Sequence, residues 1–111
     1  MRRITWFKGA LKDFETFPGP VQDRVMFALR IAAQGEKADT AKPMKGLGAG
    51  VFEIAVRHRG DAFRTVYAVQ LDEDIWVLHA FRKKSKTGIR TPRHEIDLIR
   101  ERIKRVKEQL P

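Results

Sequence analysis

A dense group of cations lies between residues 82 and 93 of the chain. Half of the residues in this stretch are basic and none is acidic, although the whole chain carries 14 carboxylates. Positive charge that is segregated in this way suits a polyanion such as nucleic acid, and a solvated basic loop without a binding role is the plain alternative. The cations are Arg82, Lys83, Lys84, Lys86, Arg90 and Arg93.

The overall charge narrows the class of partner. The chain has 111 residues, which fits one domain spanning residues 1–111, and its formal net charge is +9. Such a charge attracts nucleic acid, an anionic surface or an acidic protein, and composition alone leaves these three possibilities open.

Residue usage excludes several kinds of site. There is no cysteine, so disulfides and thiolate metal sites are excluded. The histidines His58, His79 and His94 show no metal-ligand spacing, and we expect no metal and no cofactor. No apolar run reaches the roughly 20 residues that cross a bilayer, and no apolar signal core follows the N-terminal arginines. We therefore expect a soluble, cytoplasmic protein that does not enter a membrane.

The first third of the chain predicts a strand followed by two helices. Residues 2–7 are rich in β-branched and aromatic types, which favour a strand. Residues 8–16 place Leu11 and Phe14 on one face of a short helix, which ends at a proline-glycine-proline break. Residues 21–34 repeat apolar side chains at helical spacing and predict the second helix.

A long loop is predicted to follow these helices. Residues 35–50 show no periodicity and contain four glycines, so we expect a loop, and one of this length commonly has a binding role. Lys42 and Lys45 in this loop are candidates to contact a phosphate, and keeping the loop soluble is the alternative for each.

The period of the apolar residues then changes to two, which predicts three strands at residues 51–58, 62–71 and 75–82. Glu53 and Arg57 share one face of the first of these strands.

The third of these strands is apolar on both faces, so it is central or covered by helices. Regular alternation places Ile75, Val77 and Phe81 on one face of this strand and Trp76, Leu78 and Ala80 on the other.

The C-terminal stretch predicts a final helix. Thr91 suits the N-cap and Pro92 the first helical position. The predicted order is therefore β-α-α-β-β-β-α, an α+β domain without internal repeats. One apolar stripe of the last helix faces the sheet: Ile96, Ile99, Ile103, Val106 and Leu110.

Several segments match a known family in both order and spacing. They are residues 41–48, 51–54, 62–69 and 77–86, followed by Thr91-Pro92 and Glu95-Ile96. Over nearly its whole length the chain resembles the RelE/HigB-type toxins of bacterial toxin–antitoxin pairs, in particular the phage-derived HigB-like group. The resemblance implies a RelE/ParE-like fold, with helices packed on a twisted, mostly antiparallel sheet. It also implies an acidic helix-turn-helix antitoxin as partner and cleavage of messenger RNA, usually on the ribosome.

Metal-free cleavage of RNA has defined chemical needs. The 2′-hydroxyl attacks the neighbouring phosphate, so the enzyme supplies a base, an acid and cations for the charge on phosphorus. By resemblance Arg64 is the phosphate-clamping arginine of its strand, and Lys83 ranks with it. Lys84 is the alternative to Lys83, because consecutive strand residues point to opposite faces.

The base and the acid are less well defined by the pattern. Glu53 is a candidate base, and pairing with a cation is its alternative role. His94 is a candidate acid, because relatives place a tyrosine or histidine near the start of the last helix; capping or plain solvation is its alternative. We expect His79 to be a satisfied core residue and Tyr67 to be core.

Other residues are candidate RNA contacts, and Phe81 is the best aromatic for stacking on a base. Two other functions stay open. One is a ParE-like inhibitor of gyrase, against which the clustered cations argue, and the other is a non-catalytic nucleic-acid-binding domain. The candidate contacts are Lys42, Lys45, Arg57, Phe81, Arg82, Lys86, Arg90 and Arg93.

Overall fold

The computed structural model describes residues 1–84 and 90–111, and these residues form a five-stranded sheet with helices on both faces. None of the described helices is long and apolar enough to span a membrane. Along the chain the elements are β1 (Ile4–Trp6), α1 (Lys8–Phe14), α2 (Gly19–Ala33), β2 (Ala41–Pro43), β3 (Val51–His58), β4 (Asp61–Ala68), β5 (Ile75–Lys84) and α3 (Arg93–Gln109).

The strands lie in the order β1-β5-β4-β3-β2. β1 runs parallel to β5, and every other neighbouring pair in this sheet is antiparallel. The α+β fold with a mostly antiparallel sheet is therefore confirmed. β3 has the predicted bounds, whereas β4 ends three residues earlier, at Ala68, and β5 continues to Lys84.

The prediction of an unbroken loop over residues 35–50 was wrong, because β2 lies within it. Lys42 is the cross-strand partner of Glu53, and the buried Ala41 is the partner of Ile54. A three-residue strand is too short to show a period. Pro43 also argues against a strand in the sequence, although an edge position such as this one tolerates proline.

Each face of the sheet carries its own core. The helices α1 and α2 cover one face, and the predicted apolar positions of α2 are all buried. The helix α3 covers part of the other face with Ile99, Ile103 and Val106, which pack with Val66 and Leu78. In α1 the face that packs on the sheet is formed by Ala10 and Phe14. Leu11 follows Ala10, lies outside this face and is 37% exposed.

Candidate active site

The face of the sheet that packs against α3 also carries polar side chains. They lie at one end of this face, beyond the residues that contact the apolar side chains of α3. Arg64 on β4 has Ala55 and Phe81 as its cross-strand partners on β3 and β5. Glu53 lies two residues before Ala55 on the same face of β3, so it is the diagonal neighbour of Arg64. The alternation of β3 and β4 thus brings together a carboxylate and a guanidinium that are 11 residues apart in sequence.

Glu53 and Arg64 form an ion pair that is largely shielded from water. Nη1 of Arg64 donates to Oε1 of Glu53 over 2.8 Å, and the two side chains are 10% and 13% exposed, respectively. The other carboxylate oxygen, Oε2, accepts a hydrogen bond of 2.7 Å from the Thr91 hydroxyl. Each carboxylate oxygen has a second lone pair, so these two bonds leave acceptor capacity on Glu53.

The prediction that Thr91 caps α3 was wrong. Pro92 occupies the N-cap position, the helix begins at Arg93, and no side chain in the described part of the chain caps it. The Thr91 hydroxyl is directed to Glu53 instead. Because a threonine before a proline has the same appearance in sequence whether it caps a helix or reaches a strand, the pattern could not reveal this contact.

A groove of about 320 Å³ opens beside Glu53. Lys42 and Lys45 line it from β2 and the residues that follow β2, and both are exposed. Arg90 and Thr91 line it from the segment before α3. This groove, called the cleft below, therefore combines one carboxylate with several cations, an arrangement that attracts a phosphodiester chain.

Lys83 lies on the same face of the sheet as Arg64. Its cross-strand partner is Ala62, and its Nζ donates to the Arg90 carbonyl oxygen over 2.5 Å. This contact joins the end of β5 to the segment that precedes α3. The neighbouring Lys84 alternates to the opposite face, so the structure brings Lys83 and not Lys84 together with Arg64.

Two further candidate RNA contacts are not exposed in this cleft. Arg82 lies on the α1 and α2 side, where it pairs with Asp61 and stacks over the Phe63 ring at 5.6 Å. Phe81 lies on the cleft side but is only 8% exposed, because its ring stacks on His79 at 5.1 Å. Phe81, the best aromatic candidate for stacking on a base, is therefore largely buried in this structure.

The remaining described candidates are exposed to solvent, and they are not among the residues that line the groove. Arg57 is exposed on the same face as Glu53, and Arg93 is exposed and lies 3.4 Å from Asp97. His94 is 78% exposed, with Nε2 at 3.4 Å from Oε2 of Glu95. Lys86 lies outside the described residues.

A buried polar network, which sequence reasoning missed, joins β5 to α3. His79 is 3% exposed, and its Nε2 is 2.6 Å from Oε1 of Glu95. Nη1 of Arg102 lies 3.3 Å from Nδ1 of His79 and donates to the Leu78 carbonyl oxygen over 2.9 Å. Since a guanidinium only donates, Nδ1 accepts and the Nε2 proton points to Glu95.

The state of His79 follows from this network. Burial lowers the pKa of His79, and its hydrogen bond to Glu95 opposes that effect without reversing it. His79 is thus a buried, hydrogen-bonded core residue, as expected. The pKa of Tyr67 is raised to about 12 by burial, and its ring stacks on Phe52 among the core residues on the α1 and α2 side, away from the Glu53 carboxylate.

The described residues contain no group of three or more side chains suited to hold a metal ion. What they do place on one face of the sheet is an acceptor (Glu53), a guanidinium (Arg64) and a lysine (Lys83). The exposed imidazole of His94 lies at the start of α3. These groups match the requirements of acid–base chemistry on a phosphodiester.

The fold defines the class of protein. The solved crystal structure of the isolated E. coli RelE toxin matches with a TM-score of 0.62 at 18% identity, over 80% of this chain and 90% of that one. At this identity the likeness shows a RelE fold. The chain itself belongs to the family described as phage derived protein Gp49-like (DUF891), whose profile matches residues 12–104. The comparison with curated proteins gave no significant match. Family and fold together confirm the resemblance to RelE/HigB-type toxins.

Proposed function

We propose that this protein is the toxin of a toxin–antitoxin pair and that it cleaves messenger RNA on the ribosome, in the cytoplasm. The observation that carries the proposal is the shielded pair of Glu53 and Arg64 at a groove lined by cations. The RelE fold and the family membership support a toxin of this class.

The proposed reaction uses only groups of the RNA and of this chain. Glu53 accepts the proton of a 2′-hydroxyl, and the oxygen attacks the adjacent phosphorus. Arg64 and Lys83 stabilise the negative charge that develops on the phosphate oxygens. The imidazole of His94 donates a proton to the departing 5′ oxygen. The products are a 2′,3′-cyclic phosphate and a 5′-hydroxyl, and no metal ion takes part.

Binding and catalysis draw on different cations in this arrangement. Because Glu53 already partly neutralises Arg64, the attraction that holds the RNA comes mainly from the rim of the groove. Lys42, Lys45 and Arg90 supply this charge, and each is exposed. Arg64 is then a preorganised group for the transition state rather than the main source of affinity.

Expression of the chain alone in bacteria tests the toxin proposal. We expect growth to stop and transcripts to acquire new 5′-hydroxyl ends within translated regions. In a purified system, programmed ribosomes should permit cleavage and free messenger RNA should not. Intact transcripts beside arrested growth, with gyrase-dependent DNA breaks, would support the gyrase alternative instead.

A message with a single 2′-deoxy nucleotide at the cleavage position tests the chemistry. It should bind as well as the parent message and resist cleavage, because the attacking hydroxyl is missing. Cleavage of the deoxy message, leaving a 5′-phosphate, would show that water is the nucleophile and would refute the roles given to Glu53 and His94.

We further propose that the antitoxin presents an acidic segment to the groove. The net charge of +9 and the basic rim make an anionic partner the complementary choice. By family resemblance this antitoxin carries a helix-turn-helix domain.

A further inference from the structure

The Thr91 hydroxyl stands out because its position in sequence suits a helix cap and its contact is with a different element. No side chain of the described residues caps the α3 N-terminus, although a threonine at the N-cap position would stabilise the helix. The hydroxyl instead crosses to β3 and donates to Oε2 of Glu53 over 2.7 Å.

This contact completes the restraint on the Glu53 carboxylate. Arg64 holds Oε1 from β4, and Thr91 holds Oε2 from the segment before α3. A carboxylate bound at one oxygen can still rotate about its last side-chain bond, whereas donors at both oxygens fix the orientation of its plane. The shielding of Glu53, which is 13% exposed, strengthens both bonds relative to bonds in water.

The segment that carries Thr91 is itself held in place. Lys83 at the end of β5 donates to the carbonyl oxygen of the preceding residue, Arg90. Thr91 and Pro92 then lead directly into α3, whose backbone N–H groups at Glu95 and Ile96 bond to the Pro92 carbonyl oxygen. The position of the hydroxyl is therefore set by both the sheet and the helix.

We propose that Thr91 is a positioning residue, which orients the Glu53 carboxylate for proton transfer from the 2′-hydroxyl. This inference rests on the proposed function, because it assigns Glu53 as the base. Thr91 acts through Glu53 and has no role in RNA affinity. Its loss should lower kcat and leave KM nearly unchanged.

The test compares Thr91→Val, which keeps the shape and removes the hydroxyl, with Thr91→Ser, which keeps the hydroxyl. On programmed ribosomes Thr91→Val should lower kcat about 10- to 100-fold, the scale of loss found when a hydrogen-bond partner that orients a metal ligand is removed. Thr91→Ser should restore most of the rate. Thr16→Val is the matched control, because it removes an exposed threonine hydroxyl, bonded to the Asp13 carbonyl oxygen, outside the cleft and should leave cleavage unchanged.

A double-mutant cycle separates positioning from a merely structural role. In a Glu53→Ala background, Thr91→Val should have no further effect on the residual cleavage rate. Independent losses in rate, or a Thr91→Val variant that is less stable but retains the parent kcat, would overturn the proposal. If Thr91→Val does not fold, Thr91→Ala replaces it in the same cycle.

Failure of the proposed function has a different result. In that case the parent protein itself would cleave no message on the ribosome. The hydrogen bond between Thr91 and Glu53 would still be measurable as coupling between the two substitutions in the free energy of unfolding, so the two failures are distinguishable.

Discussion

Replacement of Arg64 by alanine is the most direct test of the site. The side chain of Arg64 is 10% exposed, and its Nη1 donates to Oε1 of Glu53 over 2.8 Å. The substitution therefore removes a group proposed to stabilise the transition state and also removes a partner of a shielded carboxylate. We expect a loss of both rate and stability, and each loss has its own magnitude.

The loss of rate follows from the role of a preorganised donor. Removal of one such donor raises the barrier by about 3 kcal/mol, which is on the order of a hundredfold in rate. The loss of stability follows from the ion pair. Glu53 keeps its bond to Thr91 and some contact with solvent, so the free energy of unfolding should fall by about 2 kcal/mol, the scale of a hydrogen bond to a charged group.

Single-turnover cleavage on programmed ribosomes, with the toxin in excess, measures the rate without the contribution of binding. Circular dichroism and urea denaturation of the same samples report the folded fraction. Arg64→Lys is the matched control, because it keeps the charge and loses the planar, two-pronged donor, so it should recover less than the full rate. Glu53→Gln keeps an acceptor for Arg64 and should lose rate with a smaller loss of stability.

The result that would refute this reasoning is specific. A folded Arg64→Ala variant that cleaves at the parent rate when saturated would remove Arg64 from the mechanism. Arg64 would then be a structural partner of Glu53, and the charge on phosphorus would have to be met by Lys83.

Two further predictions concern pH and salt. Burial lowers the pKa of His79 below its unfolded value of about 6.5, so the unfolded chain binds this proton first. The contribution of neutral, buried His79 to the free energy of unfolding is complete above about pH 6.5 and decreases as the pH falls below that value. Urea denaturation between about pH 7 and 5 should show this decrease. His79→Gln should flatten this dependence and His58→Gln should keep it; equal slopes in all three proteins would contradict the reasoning. The complex with the antitoxin should weaken as salt rises, and an affinity indifferent to salt would point to an apolar interface outside the groove.

The strand alternation explains why part of the site could be predicted. Apolar residues at every second position of β3 and β4 assign Glu53 and Arg64 to the same face without any structure. What alternation does not give is the distance between elements. His79 and Arg102 meet although 23 residues separate them, and only the packing of α3 on the sheet sets that contact.

Local sequence patterns led to wrong predictions where one pattern is compatible with two different structures. The signal at Thr91 suits a helix cap, and the choice between that role and the bond to Glu53 is made by the position of β3. The segment around Ala41 reads as a loop, because a strand this short depends on its partner rather than on its own propensity. In both cases tertiary contacts decided the outcome.

The least predictable feature is a β-bulge in β5, and the position of Lys83 depends on it. The register with β4 shifts between Val66 and Tyr67, so that Leu78 has no cross-strand partner on β4. Simple alternation grouped Phe81 with Ile75 and Val77, whereas beyond the bulge Phe81 lies opposite Arg64 on the other face.

A bulge reverses the face of every residue that follows it in the strand. Without this one, Lys83 would lie on the α1 and α2 side of the sheet, and Arg82 would lie on the same side as Arg64. The Leu78 carbonyl oxygen at the bulge accepts a hydrogen bond from Arg102, and this bond compensates for the interrupted ladder. An arginine on α3 thus stabilises the irregularity that brings a lysine to the cleft, and this dependence is visible only when the register of the two strands is known.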